Sequence, residues 1–352
     1  MTTVTTKNLP YTQRPARSSQ LDTLETSIHS GTPTSYAEFR RSRFKTEFEC
    51  ANELYEDMDH EDGKDRLSKL RECREFAYFA RNSETGKVRV ISNSCRLRWC
   101  PVCAEVRRIQ IQRGVFEWLS HIRNPKFLTL TMSHDTLPLS DQIQSLYDAF
   151  RLFRRYKSLK TAVRGGIWFF QVKKSEIDNL WHPHLHICLD SDFIDKKLLS
   201  VEWLRATGNS YIIDIRKVEN ESEVSNYVAR YSAQPCKMSS IPKGDRSEIA
   251  NVLFGKRLFG KFGTGRKCCF ISEGSKESSV WQRLGNWHDF IVNRPFFPAI
   301  QQIIKAWQND VPIERDLCKD FIQKADPDPG PIITTVLKPK QQQLYIDDFV
   351  HR

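Results

Sequence analysis

The fold expected for this chain follows from one stretch, Trp181-His182-Pro183-His184-Leu185-His186-Ile187-Cys188-Leu189. Its last six residues are typical of a buried strand, in which successive side chains point to opposite faces. His184 and His186 therefore share one face, and two imidazoles at that spacing can bind one metal ion. Pro183 cannot donate a hydrogen bond to a sheet, so it should mark the start of the strand, with His182 just outside as an accessory residue. The alternative is a group of histidines at a solvated sheet edge.

The length and charge of the chain limit the class of protein to which it can belong. Its 352 residues suit one large domain with appendages or a few small domains. The net charge of +11 indicates an anionic partner, most simply nucleic acid. The sequence has no apolar run long enough for a transmembrane helix, and residues 1–6 lack the apolar core of a signal peptide. We therefore expect a cytoplasmic protein with no membrane partner, whose ten cysteines serve as thiols or metal ligands rather than disulfides.

Composition divides the chain into four expected regions. Residues 1–34 are rich in Thr, Ser, Gln and Pro and should form a disordered leader. Residues 35–120 should form a helical, Cys-rich zinc module that precedes the main domain. Residues 121–240 hold the histidine stretch and the elements around it. Residues 241–352 should form a basic and helical C-terminal region with a flexible tail, in which 280–291 has the apolar spacing of an amphipathic helix.

A cysteine cluster precedes the histidines. Cys100 and Cys103 form a Cys-x-x-Cys knuckle, and Cys95 lies five residues upstream. Structural zinc usually takes four ligands, and Cys73, beyond an expected hairpin, is the best candidate for the fourth. The alternative is a reduced thiol cluster packed in a small core. The arginines around the knuckle predict either a DNA-contacting surface or a solvated charged face; they are Arg96, Arg98, Arg107 and Arg108.

Strands and helices around the histidines predict an α+β fold with a central antiparallel sheet flanked by helices. Residues 127–132 alternate between apolar and β-branched side chains, and 166–173 are a further expected strand. Thr129 and Thr131 would line the face opposite Leu128, which is either the catalytic face or an ordinary strand surface. An amphipathic helix over 140–159 should present basic side chains on its outer face; they are Arg151, Arg154, Arg155 and Lys157.

Residues 221–231 are expected to form a helix that carries the candidate catalytic side chains. Glu223, Tyr227 and Tyr231 fall on one stripe at intervals of four residues, and Arg230 lies one turn after Tyr227. A phenol, a carboxylate and a guanidinium in this arrangement suit phosphoryl transfer, with the phenol as nucleophile and the arginine on the phosphate. The alternative is a stripe of aromatic and aliphatic residues that faces the core.

The order of FLTLTM at 127–132, HPHLHICL at 182–189 and EVSNYVARY at 223–231 resembles the rolling-circle replication initiators of small bacterial plasmids, which belong to the HUH endonuclease class. The cysteine cluster and the Glu223-to-Tyr227 spacing resemble the single-tyrosine plasmid Rep family with an HPHxH motif. The resemblance covers about residues 73–235. It implies the HUH endonuclease fold, a nicking domain at 121–240, and metal-dependent nicking of origin DNA with strand transfer through a 5′-phosphotyrosine, which leaves a 3′-OH primer.

The same resemblance assigns roles to individual residues. His184 and His186 match the metal pair of the family, and Gln171 stands where a third ligand is typically Glu. The implied ion is Mg²⁺ or Mn²⁺, and Gln171 departs from the pattern because it contributes no charge. Tyr227 matches the nucleophile. Two further catalytic residues are implied: Glu223, which would activate water in the terminating cleavage, and Arg230, where the motif usually has Lys.

The implied partners are double-stranded origin DNA, single-stranded DNA, and the host helicase and polymerase, with a homodimer left open. Tyr227 and Tyr231 also form a Tyr-x-x-x-Tyr pair, so a two-tyrosine HUH rolling-circle transposase is one alternative. A zinc-containing protein that binds DNA without cutting it is another. Residues 341–350 resemble the short peptides by which bacterial replication proteins dock on the sliding clamp, although a tail packed on its own domain would explain the same apolar residues.

Overall fold

The structure is a computed structural model that describes residues 35–58, 61–133, 136–175, 177–270 and 280–322. The helices are α1 (Tyr36–Arg41), α2 (Lys45–Glu56), α3 (Glu61–Arg71), α4 (Pro101–Ser120), α5 (Leu139–Phe153), α6 (Lys157–Ala162), α7 (Lys196–Thr207), α8 (Glu221–Ala233), α9 (Lys243–Val252), α10 (Trp287–Asn293), α11 (Pro298–Asn309) and α12 (Arg315–Cys318). The strands are β1 (Ala77–Asn82), β2 (Val88–Ser92), β3 (Pro125–Thr131), β4 (Val163–Lys174), β5 (Trp181–Ser191), β6 (Ile213–Lys217), β7 (Phe259–Gly263) and β8 (Trp281–Asn286). The expected disordered leader and the 341–350 segment lie outside the described residues. Within the described part of the chain, no helix combines the length and apolar character needed to cross a membrane.

The chain divides into two compact units, each assembled from separate stretches of sequence. The larger unit contains a five-stranded sheet in the order β6-β3-β5-β4-β7, and every neighbouring pair is antiparallel. The histidine strand β5 lies in the middle, between β3 and β4. The prediction of an α+β fold with a central antiparallel sheet is therefore confirmed, while the HUH fold stays a prediction.

Helices cover both faces of this sheet because the strands carry apolar residues on both sides. On the histidine face, Phe127, Phe169 and Cys188 pack with buried residues of α4 and α8 in one core cluster. On the opposite face, the Phe150 ring of α5 lies 6.2 Å from the ring of Trp168. Burial of both faces fixes the register of β5, since a slip by one residue would move every side chain to the wrong side.

The histidine strand begins earlier than the sequence indicated. We expected Pro183 to mark its start, but β5 begins at Trp181, and His182 is paired with Lys173 inside the sheet. Pro183 lies opposite Val172, whose N–H points away from β5 and donates to the Pro235 carbonyl at 3.2 Å. The proline nitrogen therefore points away from β4, towards the side where β3 lies. Because β3 pairs with β5 only as far as His184, the missing N–H of Pro183 costs the sheet no hydrogen bond.

The smaller unit comprises residues 35–43, 73–93 and 280–322. Its sheet has the order β2-β1-β8, and the expected hairpin forms β1 and β2. Phe79 of β1 lies between aromatic rings, 5.4 Å from Trp287 and 5.0 Å from Phe290. The prediction of one helix over 280–291 is wrong, because this stretch forms β8 and then α10. Leu284, Trp287, Phe290 and Ile291 nevertheless belong to the core of this unit.

Candidate active site and cysteine cluster

Strand register brings the predicted metal ligands to one face of the sheet. Gln171 of β4 lies directly opposite His184 of β5, and Thr129 of β3 lies directly opposite His186. Thr131 lies opposite His184 on the other side. Side chains at paired positions share a face, so two imidazoles, one amide and two hydroxyls converge at the centre of the sheet.

His186 is buried and hydrogen-bonded through both ring nitrogens. Its side chain is 4% exposed, with Nε2 2.6 Å from Gln171 Oε1 and Nδ1 3.2 Å from Thr129 Oγ1. The amide oxygen can only accept, so Nε2–H donates to Gln171 and the Thr129 hydroxyl donates to Nδ1. These two contacts fix the orientation of the ring.

His184 lacks such contacts. Its Nδ1 atom is buried and has no hydrogen-bond partner in the described part of the chain. Burial, followed by the nearby His186, lowers the pKa of His184 to about 3, and burial likewise lowers the pKa of His186 to about 4. Both imidazoles are therefore neutral at neutral pH, which is the form that binds metal ions.

These residues fit a divalent ion. The His184 Nδ1 atom has no hydrogen-bond partner among the described residues and can offer its lone pair to an ion. Two ligand atoms held about 2.1 Å from one ion lie ~3 Å apart. The distance between His186 Nε2 and Gln171 Oε1, 2.6 Å, is close to that separation. Within the residues that the structure describes, no Asp or Glu joins the two histidines in a three-ligand group. The donor set is therefore two nitrogens and a neutral oxygen.

Helix α8 presents both tyrosines to His186. Asn220 caps this helix by accepting from the Glu223 N–H at 3.1 Å, and Val228 and Ala229 are buried in the core. The Tyr227 ring lies 5.2 Å from the His186 ring, and the Tyr231 ring lies 5.6 Å from it. Tyr227 is half-buried and packs against the same core cluster, and both tyrosine rings lie beside the histidine.

The surroundings of Tyr227 oppose its ionisation. Burial, followed by the charge and hydrogen bonding of Tyr231, raises the pKa of Tyr227 to about 12. The charges of Arg230 and Arg216 lower this pKa. The exposed Arg230 guanidinium lies 5.8 Å from the Tyr227 ring centre. An anion or cation that enters the site would therefore change the reactivity of this phenol.

Arg216 is a site cation that the sequence analysis missed. It is exposed on β6, its guanidinium lies 5.4 Å from the Phe127 ring centre, and its charge lowers the pKa values of both His186 and Tyr227. The alternating Ile213-Asp214-Ile215 pattern was an available signal for the strand, but only the register of the folded sheet brings Arg216 opposite Phe127.

Glu223 is not drawn into this cluster. Its side chain is exposed one turn before Tyr227, and among the described residues its carboxylate takes part in no hydrogen bond or ion pair. It is therefore accessible to solvent, as a residue acting on water would have to be.

The four predicted cysteines converge. The sulfur atoms of Cys73, Cys95, Cys100 and Cys103 all lie within 4.8 Å of one another, and those of Cys95 and Cys103 are 3.6 Å apart. A tetrahedral zinc with Zn–S bonds of about 2.3 Å requires sulfurs about 3.8 Å apart. None of the ten cysteines, all within the described ranges, forms a disulfide. The cluster can hold a metal ion such as zinc.

The arginines near the knuckle have contacts that the sequence did not predict. Arg98 donates to the carbonyls of Leu253 and Lys256, and burial lowers its pKa to about 10. Arg108 pairs with Glu105 at 2.7 Å and donates to Asn226 of α8 at 2.9 Å. These two side chains join parts of the protein to one another.

Replacement of Cys100 or Cys103 by Ser should remove a bound zinc ion. We expect about one zinc per chain in the unmodified protein, and a lower unfolding temperature in the variants because metal binding contributes directly to folding. Elemental analysis of the purified protein measures the zinc content, and a thermal unfolding experiment measures the unfolding temperature. Cys269→Ser, at an exposed cysteine outside the cluster, is the control. Zinc content that is the same in all variants would contradict the assignment.

Comparisons with known proteins identify the class. A model of the Rep_1 family, described as replication protein, matches residues 87–264, just over half of the chain. This chain therefore belongs to that family of replication proteins, which confirms the resemblance seen in the sequence. The matched segment runs from β2 to the end of β7 and includes both histidines, Tyr227 and three of the four clustered cysteines.

Individual relatives agree with the family. Proteins named "Protein rep" from Bacillus sp and Bacillus amyloliquefaciens are 26% and 27% identical over 175 residues, which is 45% of this chain in each case. The chain spans only about half the length of these two relatives, 57% and 52%. A "Protein rep" from Staphylococcus aureus is 25% identical over 49% of this chain and 83% of its own length. No solved structure matches the chain at a significant level.

Proposed function

We propose that this protein initiates rolling-circle replication of a plasmid by nicking one strand at the origin and transferring it through a phosphotyrosine. The observation that carries the proposal is the 5.2 Å between the rings of Tyr227 and the buried, neutral His186. A nucleophilic oxygen beside a candidate metal site is the arrangement that phosphodiester transfer requires. The nicking domain would span 121–240, and the protein would act in the cytoplasm.

In the proposed reaction the Tyr227 oxygen attacks the scissile phosphorus in line with the 3′ oxygen of the preceding nucleotide. The new bond is a 5′-phosphotyrosine, the phosphorus–oxygen bond to that 3′ oxygen breaks, and the phenol loses a proton as the 3′ oxygen gains one. Arg230 and Arg216 would bind the phosphate oxygens and favour the phenolate, since both lower the pKa of Tyr227. The exposed Glu223 would act later, by activating water to end the cycle.

His184, His186 and Gln171 would hold the divalent ion. When bound, such an ion supplies Lewis-acid stabilisation of the charge that develops on the phosphate. Imidazole ligands favour transition metals over Mg²⁺, so of the two expected ions the donor set favours Mn²⁺. Thr129 would keep the His186 ring in place from its other nitrogen.

A second candidate is a two-tyrosine HUH transposase. The observation in its favour is the position of Tyr231, whose ring lies 5.6 Å from His186 and 5.3 Å from Tyr227. Either phenol is close enough to the candidate metal site to act. The family match and the Glu223-to-Tyr227 spacing favour the plasmid initiator with one nucleophile.

The proposal is tested with supercoiled plasmid that carries the origin of the protein's own replicon. In Mn²⁺ we expect conversion to the open-circular form, and in EDTA we expect none. A plasmid without that origin is the control for site specificity. Binding of the origin duplex without any nicking would favour the zinc-containing protein that binds DNA but does not cut it.

Gln171→Glu should strengthen Mn²⁺ binding by about tenfold or more, because a carboxylate adds ligand charge. Without metal the same change should lower the unfolding temperature, since position 171 is only 3% exposed and a buried carboxylate is costly unless paired. Titration calorimetry with Mn²⁺ and thermal unfolding measure the two effects. Gln171→Leu, which removes the oxygen, should weaken binding. Equal affinity in all three proteins would exclude Gln171 as a ligand.

A further inference from the structure

A cavity lies on the face of the central sheet that is turned away from His184 and His186. Its volume is about 270 Å³. Leu128, Ile187 and Leu189 contribute to its lining from the strands, and strand alternation places all three opposite the histidine face. The helices α5 and α6 close it from the other side through Phe153 and Leu159. This cavity is therefore separate from the candidate active site.

Three cations line the cavity, and two of them have no acidic partner. Arg164 is neutralised by Asp190 at 2.6 Å and Asp192 at 2.9 Å. Arg154 and Lys160 take part in no ion pair within the described ranges. The Nε atom of Arg154 is moreover buried without a hydrogen-bond partner. A ligand or a water molecule that enters the cavity can supply the acceptor that this donor lacks.

Aromatic rings hold the Arg154 guanidinium. It lies 5.0 Å from the ring centre of Phe150 and 4.9 Å from that of Phe262, and all three residues line the cavity. A ligand that enters therefore meets an apolar interior, two aromatic rings and a cationic rim. This combination suits a flat ring system that carries a phosphate, which is the chemistry of a nucleotide.

We propose that the cavity binds one unpaired base of single-stranded DNA, with the adjoining phosphate on Arg154 and Lys160. The proposal rests on the proposed function, because a nicking initiator must hold the strand that it has exposed. The volume lies just below the range of about 300–1,000 Å³ typical of small-molecule sites, so it suits one base and not a longer stretch.

The surface beside the cavity favours a DNA strand over a free nucleotide. Two exposed cations follow Arg154 in the sequence: Arg155 in the link between α5 and α6, and Lys157 at the start of α6. Among the described residues, neither forms an ion pair. A mononucleotide would use the cavity alone, whereas a strand would continue along these cations. The excess positive charge of the whole chain, +11, agrees with that use.

The test measures binding of a fluorescein-labelled oligonucleotide from the origin by fluorescence anisotropy at several salt concentrations. In the doubly substituted variant Arg154→Ala, Lys160→Ala we expect affinity about tenfold weaker, with the slope of log affinity against log salt reduced by about 0.7 for each lost phosphate contact. Phe262→Leu keeps an apolar side chain but removes the ring, so it should weaken binding without changing the slope. Lys197→Ala, at an exposed lysine of α7 that does not line the cavity, is the matched control.

Photocrosslinking gives a readout that does not depend on variants. Oligonucleotides with 5-iodouracil at single positions should crosslink to the peptide of Phe150 or Phe262 from one position only. The proposal is overturned if the doubly substituted variant binds with unchanged affinity and slope, or if free deoxynucleoside monophosphate binds to the cavity while oligonucleotide binding is unaffected by the substitutions. Adduct formation at Tyr227, followed in parallel, distinguishes failure of this inference from failure of the proposed function. If the adduct forms but the cavity variants have no effect, only this inference is wrong. If the adduct does not form, the proposed function is wrong.

Discussion

Tyr227→Phe is expected to lower formation of the covalent protein–DNA adduct by about 10⁴-fold or more, because the substitution removes only the attacking oxygen. DNA binding and stability should change little. The Tyr227 side chain is half-buried, and its ring contacts with Phe127, His186 and Tyr231 are all available to phenylalanine. Denaturing gel electrophoresis of the protein after incubation with a labelled origin oligonucleotide and Mn²⁺ measures the adduct.

Tyr231→Phe is the matched control, since it removes the same atom one turn later in α8. The single-tyrosine account expects a mild effect, limited to loss of the neighbour that raises the pKa of Tyr227. An inactive Tyr231 variant beside an active Tyr227 variant would reverse the assignment of the nucleophile. Variants that each still cut but fail together in strand transfer would favour the two-tyrosine transposase.

His184→Ala should abolish metal-dependent cleavage with little loss of stability. The Nδ1 atom of His184 has no hydrogen-bond partner among the described residues, so the substitution breaks no hydrogen bond of that atom. His186→Ala should abolish cleavage and also destabilise the protein by about 1–3 kcal/mol, because it leaves Gln171 Oε1 and the Thr129 hydroxyl without their partner. Cleavage assays and thermal unfolding together separate the two effects.

His182→Ala is the control for this pair and should retain most of the activity. Its side chain lies 4.0 Å from Asp178 and is not within the Gln171 and Thr129 network. Mn²⁺ binding by calorimetry should be lost in the His184 variant and kept in the His182 variant. Cleavage that proceeds equally with and without EDTA would contradict the metal mechanism.

The sequence predicted the elements whose signal is local. Alternation in 127–132 and 184–189 identified two strands of the central sheet, and the helical spacing of 221–231 identified α8. The error at 280–291 has the same origin. Trp281, Leu284 and Trp287 fall at helical intervals although a strand ends at Asn286 and a helix begins at Trp287, so spacing alone did not separate two short elements.

Features of the site that depend on long-range register were not predictable. Nothing local reveals that Gln171 lies opposite His184 or that Thr129 reaches the ring of His186, because strand pairing is decided by the packing of the whole sheet. Arg98 and Arg108 also looked like surface cations by composition. Their partners lie 155 and 118 residues away, at Leu253 and Asn226, and only the folded chain brings them together.

Peptide mapping identifies the residue to which DNA becomes covalently attached, which we expect to be Tyr227. Trypsin cleaves after Lys217, Arg230 and Lys237, so Tyr227 and Tyr231 fall on separate peptides, 218–230 and 231–237. The protein is incubated with an origin oligonucleotide and Mn²⁺, digested with nuclease and trypsin, and analysed by mass spectrometry. A nucleotide mass on peptide 218–230, absent when EDTA is present, is the expected result. Modification of peptide 231–237 instead, or strand cleavage with neither peptide modified, would contradict the account.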